Sequence, residues 1–345
     1  MGVGATTSGG PVALPVPPPP APPPNPPCSP CGTLDETDTD PSPSYASPLH
    51  NNGTITFAAE TKRGDPITTA RFYVGHFEAR VSPIADTNPA TTGANLDNVA
   101  TMAPGTYEFT VNAQGYGFFR FRKTVYRGEI STFKVRLAEN VASANAGAVA
   151  TGDTNGANAA AQAATLRNLI DDTENTQWET PGNATGALSV DGKKVTIDLA
   201  GTKPVHVRSV QVSAMLRSGQ SRFSALRQFE VWACNSDTAN CSTDAGFSKV
   251  YTSGADAFPG NSPRPVSPAL ILRSFDIPNT KATHLRFVVK TNQCTGGPNF
   301  LGEQDADPDN ATDCPTAGPA TTKIVRAAEF QAFEQKTSVS RKHKH

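Results

Sequence analysis

The chain has 345 residues, which is enough for two domains of ordinary size with linkers. Its 30 Pro and 28 Gly, beside a hydrophobic content of 37%, indicate that part of it is loop-rich or has no packed core. A net charge of -1 excludes the basic surface that nucleic-acid binding needs, and no run approaches the roughly 20 apolar residues of a membrane span. The first residues lack a basic stretch followed by an apolar one, so we expect the natural start of a secreted chain to lie upstream.

The six cysteines form three pairs that are close in sequence and lie in polar loops rich in Gly, Pro and Asn. An even number of closely spaced cysteines is typical of disulfides in an oxidising compartment, which favours a secreted, extracellular protein. We predict the disulfides Cys234–Cys241 and Cys294–Cys314. The pair Cys28 and Cys31 also has the spacing of zinc ligands, but a structural zinc site needs a second pair nearby, so a disulfide is favoured there too.

Residues 1–48 are predicted to be a Pro-rich, low-complexity stalk. The proline run between residues 11 and 30 can form extended polyproline II but neither a helix nor a central strand. Asp35, Asp38 and Asp40 fall among threonines at its end. They could contact a cation or form a solvated acidic loop.

From residue 49 to 138, short runs of β-branched and aromatic residues alternate with Gly and Pro turns, which predicts strands. Tyr107, Phe109 and Val111 alternate with polar residues, the pattern of a half-buried strand. The predicted strands are Thr54–Phe57, Ala70–Val74, Tyr107–Val111, Phe118–Val125 and Thr132–Leu137.

Three motifs of this segment resemble those of the carboxypeptidase regulatory-like, transthyretin-like domain. They are Gly53-Thr54-Ile55, Pro104-Gly105-Thr106-Tyr107 and Gly115-Tyr116. The resemblance implies that residues 49–138 form a β-sandwich that serves as a spacer or interaction domain without catalysis.

Residues 139–165 are rich in Ala, Asn and Gly, a composition that allows a frayed helix or a linker. Beyond residue 190 many short strands with turn signals between them predict an antiparallel sandwich or barrel. The predicted strands are Lys194–Leu199, Val205–Met215, Gln228–Ala233, Phe247–Thr252, Ala269–Ile277, Thr283–Thr291 and Ile324–Phe333.

The stretch Leu169–Glu179 reads Leu-Ile-Asp-Asp-Thr-Glu-Asn-Thr-Gln-Trp-Glu. It joins two apolar residues to adjacent carboxylates, a polar turn and one of the two tryptophans. Calcium prefers clusters of carboxylate, hydroxyl and carbonyl oxygens, which such a turn can gather on its inner side. The alternative is a polar surface turn anchored by Trp178.

This stretch resembles the calcium loop of discoidin (coagulation factor 5/8 type C) domains, whose pattern is Ile-Asp-Gly-Asp-x-x-Thr-x-Trp. Ile170, Asp171, Thr176 and Trp178 match it, whereas Asp172 replaces the usual Gly, and a threonine follows where Asp or Asn is usual. Further resemblances are an opening strand at Asn140–Ser143, the strand segments Val195–Leu199 and Ala282–Phe287, and a closing segment, Ala327–Phe330. The resemblance implies that residues 139–334 form a discoidin-like jelly-roll sandwich, followed by a disordered basic tail at 335–345.

The discoidin resemblance also implies a structural Ca²⁺ that ties the loop to the last strand. Asp171 and Glu329 would supply carboxylates, Thr176 its hydroxyl or carbonyl, and Thr173 and Ala328 their backbone carbonyls. The alternative makes Glu329 a charge at the rim, paired with Arg326.

Ligand contacts are expected on loops at one rim of the second sandwich, where an Arg, an aromatic ring and amides suit carbohydrate or an extracellular protein surface. The candidates are Arg217, Gln220, Arg222, Phe258 and Phe300.

The sequence contains no catalytic constellation that we recognise. None of the six histidines belongs to a His-Glu-x-x-His motif, and there is no Gly-x-Ser-x-Gly or phosphate-binding loop motif. We therefore expect a non-catalytic extracellular binding region, all-β, with no nucleic acid as partner.

The whole arrangement resembles the C-terminal region of bacterial secreted fungalysin-type metallopeptidases, through Leu169–Glu179, Arg222–Cys234, Val250–Arg264 and Thr291–Cys314. One alternative is therefore a fragment of a secreted zinc metalloendopeptidase whose catalytic domain is not in this chain. A further alternative is a cell-surface spacer without a ligand.

Overall fold

The structure is a computed structural model in which two β-sandwiches follow each other along the chain. It describes residues 32–37, 52–75, 83–88, 98–182, 190–217, 219–254, 257–258, 270–294 and 323–334. These residues form strands, short 3₁₀ turns and one α-helix. The predicted all-β class is confirmed.

The first sandwich packs two four-stranded sheets against each other. One sheet has the order β1-β8-β2-β5 and the other β4-β3-β6-β7, and the pair β2 and β8 is parallel. The strands are β1 (Gly32–Thr37), β2 (Gly53–Thr61), β3 (Arg71–Val74), β4 (Ala85–Asp86), β5 (Val99–Met102), β6 (Gly105–Asn112), β7 (Phe119–Val125) and β8 (Ile130–Leu137).

Phenylalanines from both sheets form the core of the first sandwich. Phe57 on β2, Phe72 on β3 and Phe109 on β6 are fully buried. The rings of Phe57 and Phe72 lie 4.6 Å apart and those of Phe57 and Phe109 5.7 Å apart, so the two sheets interlock through aromatic contacts. Alternate residues of β2 and β8 point into this core, as a strand with one buried face requires.

The structure places a strand within the segment that is predicted to be the stalk. Gly32–Thr37 lies in the predicted stalk, yet its backbone forms β1 and pairs antiparallel with β8. The edge of β8 offers unpaired backbone groups, which a neighbouring extended segment satisfies whatever its composition. Residues 1–31 and 38–51, including Cys28, Cys31, Asp38 and Asp40, lie outside the described residues.

The second sandwich contains a five-stranded sheet, ordered β14-β13-β16-β11-β9, and a three-stranded sheet, ordered β15-β12-β18. Strands β10 and β17 form a separate antiparallel pair. The elements are β9 (Val149–Gly152), α1 (Ala159–Arg167), β10 (Trp178–Pro181), β11 (Lys194–Asp198), β12 (Val205–Ser213), β13 (Leu226–Cys234), β14 (Ser248–Thr252), β15 (Arg273–Ala282), β16 (His284–Asn292), β17 (Ile324–Ala327) and β18 (Glu329–Phe333).

Trp178 lies at the centre of this second core. It is fully buried, its ring lies 6.0 Å from that of Phe287, and its indole N–H donates to the carbonyl of Asp153 at 2.8 Å. Its strand β10 pairs with β17, so that Trp178 is opposite Ala327. The tryptophan therefore fixes where the chain leaves the preceding loop and brings that loop to the last strands.

One strand prediction in this region is wrong, and another is confirmed except at one residue. Asn140–Ser143 is not a strand but a turn, in which Ser143 N–H donates to the Asn140 carbonyl at 3.1 Å before a short 3₁₀ helix, Ala144–Ala146. The closing segment Ile324–Phe333 is divided at Ala328 into β17 and β18, which belong to different sheets. Ala328 N–H donates to the Ser213 carbonyl at 2.8 Å, so the break lets one segment serve both sheets.

The disulfide Cys234–Cys241 is present. Cys294 is also disulfide-bonded, while its predicted partner Cys314 lies outside the described residues. In the part of the chain that the structure describes, no helix has the length and apolar character needed to cross a membrane.

Candidate functional site

The loop between α1 and β10, residues 169–177, contains the buried polar residues Asp172, Glu174 and Gln177; we call it the acidic loop. Its first two residues, Leu169 and Ile170, are buried in the core. Phe330 N–H donates to the Leu169 carbonyl at 2.6 Å, and Ala144 N–H donates to the Ile170 carbonyl at 2.7 Å. These bonds attach the start of the loop to β18 and to the turn that opens the second sandwich.

Asp171 and Thr176 meet within the loop, as the sequence pattern predicts. The Thr176 hydroxyl donates to Asp171, with Oγ1 2.8 Å from Oδ2. Burial raises the pKa of Asp171 to about 7, although the hydrogen bond from Thr176 opposes the rise. A carboxylate held in this environment gains from a cation that compensates its charge.

Glu329 is the first residue of β18 and is fully buried. One carboxylate oxygen, Oε2, accepts from the Thr173 N–H at 3.3 Å, which links β18 to the acidic loop across 156 residues of sequence. The other, Oε1, is buried without a hydrogen-bond partner among the described residues. Burial raises the pKa of Glu329 well above its ordinary value, and the charges of Asp172 and Asp171 raise it further.

These residues fit a calcium ion. Buried polar atoms are normally satisfied, so the unpartnered Oε1 of Glu329 is an oxygen that a cation could use. Calcium takes oxygens of mixed type, including backbone carbonyls, so the acidic loop and β18 supply suitable donors without a third carboxylate. In the residues that the structure describes, no group of three or more Asp, Glu, His or Cys side chains is arranged to hold a metal ion.

An open cleft of about 560 Å³ reaches the acidic loop from solvent. Asp171, Thr173 and Asn175 line it on one side, and Arg71 and Asn112 of the first sandwich line it on the other. A metal site needs such an entry path, and this one lies between the two sandwiches.

Asp172 adopts a left-handed backbone conformation, with φ of 64°. This conformation explains the Gly usual at the position, because Gly takes it without strain and Asp is among the few other residues that tolerate it. The Asp172 side chain accepts hydrogen bonds from Gly115 N–H at 2.8 Å, Asn140 Nδ2 at 2.9 Å, Ser143 Oγ at 2.5 Å and Asn145 Nδ2 at 2.9 Å. Gly115 belongs to the first sandwich and the other three donors to the turn that opens the second, so the side chain joins both to the acidic loop.

Glu174 is a second residue of the acidic loop with a role that sequence reasoning missed. Its Oε2 pairs with Nη2 of Arg120 on β7 at 2.6 Å, and the two side chains are only 2% and 9% exposed. Its Oε1 accepts from Ser213 Oγ at 2.5 Å and from Leu272 N–H at 2.9 Å. Nothing local in the sequence signals this pair, since the partners are 54 residues apart.

Arg326 does not pair with Glu329, so that alternative is wrong. Its guanidinium instead pairs with the carboxylate of Glu179 and donates to the hydroxyl of Ser224 at 2.5 Å. Arg326 lies on β17, ahead of the break at Ala328, and therefore belongs to the β10–β17 ribbon rather than to the acidic loop.

The predicted ligand residues separate in the structure. Arg217 is exposed and Gln220 is half-buried, and both belong to one turn in which Gln220 N–H donates to the Arg217 carbonyl at 3.3 Å. Arg217 N–H donates to Oε1 of Gln177 at 3.1 Å, so the acidic loop supports this turn. Arg222 begins the 3₁₀ turn Arg222–Ser224. The side chain of Arg222 and the whole of Phe300 lie outside what the structure describes, so their predicted ligand contacts stay predictions.

The prediction that Phe258 contacts ligand is wrong. Its side chain is fully buried, with its ring 6.5 Å from Phe229 and 6.2 Å from Phe275. Gln293 Nε2 also donates to the Phe258 carbonyl at 2.8 Å. The residue closes the second core instead of projecting from a loop.

No protein-family model and no curated protein matches the chain. Solved structures do match it, over about half of its length. CpGH89CBM32-5 from Clostridium perfringens, in complex with GalNAc-β-1,3-galactose, shares 18% identity at a TM-score of 0.30 and covers 54% of this chain and 93% of its own. CBM32-3 from a family 31 glycoside hydrolase of Clostridium perfringens shares 15% sequence identity at a TM-score of 0.33, and the match covers 54% of this chain and 88% of that one. An F5/8 type C domain from Bacteroides fragilis shares 13% sequence identity at a TM-score of 0.33, and the match covers 55% of this chain and 93% of that one.

Proposed function

We propose that this chain is a non-catalytic, secreted binding region. A carboxypeptidase regulatory-like sandwich precedes a discoidin-like sandwich, a structural calcium ion stabilises the second, and loops at one rim contact a carbohydrate or protein surface. The disulfide-bonded cysteines Cys234, Cys241 and Cys294 support an oxidising, extracellular setting.

The observation that carries the calcium proposal is the buried, half-partnered carboxylate of Glu329 beside Asp171. Glu329 is fully buried and Asp171 half-buried, and burial raises the pKa of both carboxyl groups, so a cation beside them would favour their charged forms. Asp171, Glu329 and the Thr176 hydroxyl would hold the ion, together with the backbone carbonyls of Thr173 and Ala328. The ion would neutralise repelling charges and fix β18 to the acidic loop, and it would stabilise the fold by binding only the folded state.

The ligand surface is proposed at the turn that carries Arg217 and Gln220. Arg217 offers a planar set of donors suited to hydroxyl or carboxylate groups, and Gln220 adds an amide. The hydrogen bond from the Arg217 backbone to Gln177 makes the shape of this turn depend on the acidic loop. A rigid support of this kind lowers the entropy lost when a ligand is bound.

A binding experiment tests the ligand surface. The full chain would be applied to a glycan array and, in parallel, to immobilised extracellular matrix proteins, with calcium present. We expect saturable binding that Arg217→Ala weakens, whereas Arg208→Ala, at another exposed arginine, on β12, leaves it unchanged. Binding to the matrix proteins without binding to any glycan on the array would assign the ligand to the protein class. No saturable binding in either assay would support the alternative of a spacer without a ligand.

A zinc metallopeptidase catalytic domain as covalent neighbour remains a prediction from the sequence resemblance. A His-Glu-x-x-His motif encoded in the DNA just upstream would support it. Chelator-sensitive peptidase activity of this chain alone would contradict the non-catalytic proposal.

A further inference from the structure

The acidic loop is held from both sides, by the second sandwich to which it belongs and by the first. From the first sandwich, Gly115 N–H donates to Asp172, and Arg120 pairs with Glu174. Asp172 and Glu174 flank Thr173, whose N–H donates to Glu329. The candidate calcium ligands of the loop thus lie beside and between two residues that contact the first sandwich.

The contact between Arg120 and Glu174 is a buried ion pair. Both side chains are almost completely buried, and the second oxygen of Glu174 is used by Ser213 and Leu272. A buried ion pair of this kind tolerates little movement, because loss of either partner leaves an uncompensated charge. Arg120 therefore restricts the position of Glu174 and, through the chain, of Thr173.

The two sandwiches also pack closely beside this pair. A Cβ added at Gly117 would lie 2.5 Å from the ring of Phe333 on β18. Phe118 N–H donates to Oε1 of Gln331, also on β18, at 3.4 Å. The first sandwich consequently contacts both elements that supply the proposed calcium ligands, the acidic loop and β18.

We infer that the first sandwich is a working part of the calcium site, because Arg120 and the backbone at Gly115 hold the acidic loop in its ion-binding shape. Arg120 is a positioning residue, which acts on the ion through Glu174. The inference rests on the proposed calcium site and extends it: calcium affinity depends on the contact between the sandwiches. By linkage, calcium strengthens that contact by the same factor.

Calorimetric titration of the full chain with calcium tests the inference. The variant Arg120→Met removes the guanidinium, and Arg122→Met is the matched control, since Arg122 lies on the same strand and is exposed. We expect about a 10-fold weaker calcium affinity for Arg120→Met, within the usual range of coupling between sites, and wild-type affinity for the control.

In Arg120→Met the buried charge of Glu174 has lost its partner, and this alone could unfold the protein. A second variant is therefore needed. The double variant Arg120→Met with Glu174→Gln removes both charges and should show the same loss of affinity. Wild-type affinity in a folded double variant would overturn the inference while leaving the calcium site intact. Absence of calcium binding by the wild type would overturn the proposed site and the inference together.

Discussion

Replacing Glu329 by Gln gives opposite expected results with and without calcium. The substitution keeps the size of the side chain and an oxygen for the Thr173 N–H, but removes a buried charge. Without calcium, burial and the neighbouring Asp171 and Asp172 disfavour the charged form of Glu329 and raise its pKa, and one of its oxygens has no partner among the described residues. Glu329→Gln should therefore melt at or above the wild-type temperature in chelator, because the amide is neutral without having to take up a proton on folding.

With calcium the order should reverse. A ligand present at about 100 times its dissociation constant stabilises the folded state by about 2.7 kcal/mol. For a unit of this size, 1 kcal/mol shifts the melting temperature by about 2–4 °C. The wild type should thus gain about 5–10 °C on calcium addition, and Glu329→Gln should gain much less because it has lost a charged ligand.

Differential scanning calorimetry in calcium and in chelator measures both shifts. Glu230→Gln is the matched control: it makes the same change at another buried carboxylate of the second sandwich, one that is partnered by Trp232 and Lys249. The control should keep the wild-type response to calcium. An unchanged wild-type melting temperature, or an equal calcium response in Glu329→Gln, would refute the site.

Three further predictions concern stability and are measured by urea denaturation. Removing the Cys234–Cys241 disulfide by Ser substitution should cost about 2.5 kcal/mol, the entropy of closing so short a loop, and an unchanged midpoint would contradict this. Phe258→Ala should cost about 3–5 kcal/mol as a core truncation; a stable variant with weakened ligand binding would restore its predicted ligand role. Gly117→Ala should cost about 1–3 kcal/mol, because its Cβ would collide with Phe333, and a neutral result would show that the sandwiches separate easily.

Most strands of both sandwiches follow from local sequence. Alternation at Tyr107, Phe109 and Val111 predicts β6, although Thr110 between them is buried as well, and the short apolar runs from Lys194 onward predict the sheets of the second sandwich. Such signals work because a strand with one buried face must repeat every second residue. The fungalysin relationship and the domain boundaries, by contrast, remain predictions.

What failed depends on partners distant in sequence. Gly32–Thr37 has an unremarkable composition, and only the open edge of β8 makes it a strand. Phe258 lies in a Gly- and Pro-rich stretch that predicts an exposed loop, yet Phe229 and Phe275 bury it. Neither outcome can be inferred from a window of sequence, because the burying or pairing groups come from other strands.

The departures from the calcium-loop pattern have a physical explanation at Asp172. Considered locally, a carboxylate in place of Gly adds a charge and weakens the match. In the structure its backbone keeps the left-handed conformation that Gly would adopt, so the shape of the loop survives. Its side chain, which Gly lacks, accepts from Gly115 of the first sandwich and from the turn at Ser143. The same residue thus keeps the backbone conformation of the loop and attaches the loop to the first sandwich, and this contact is the one on which the proposed calcium affinity would depend.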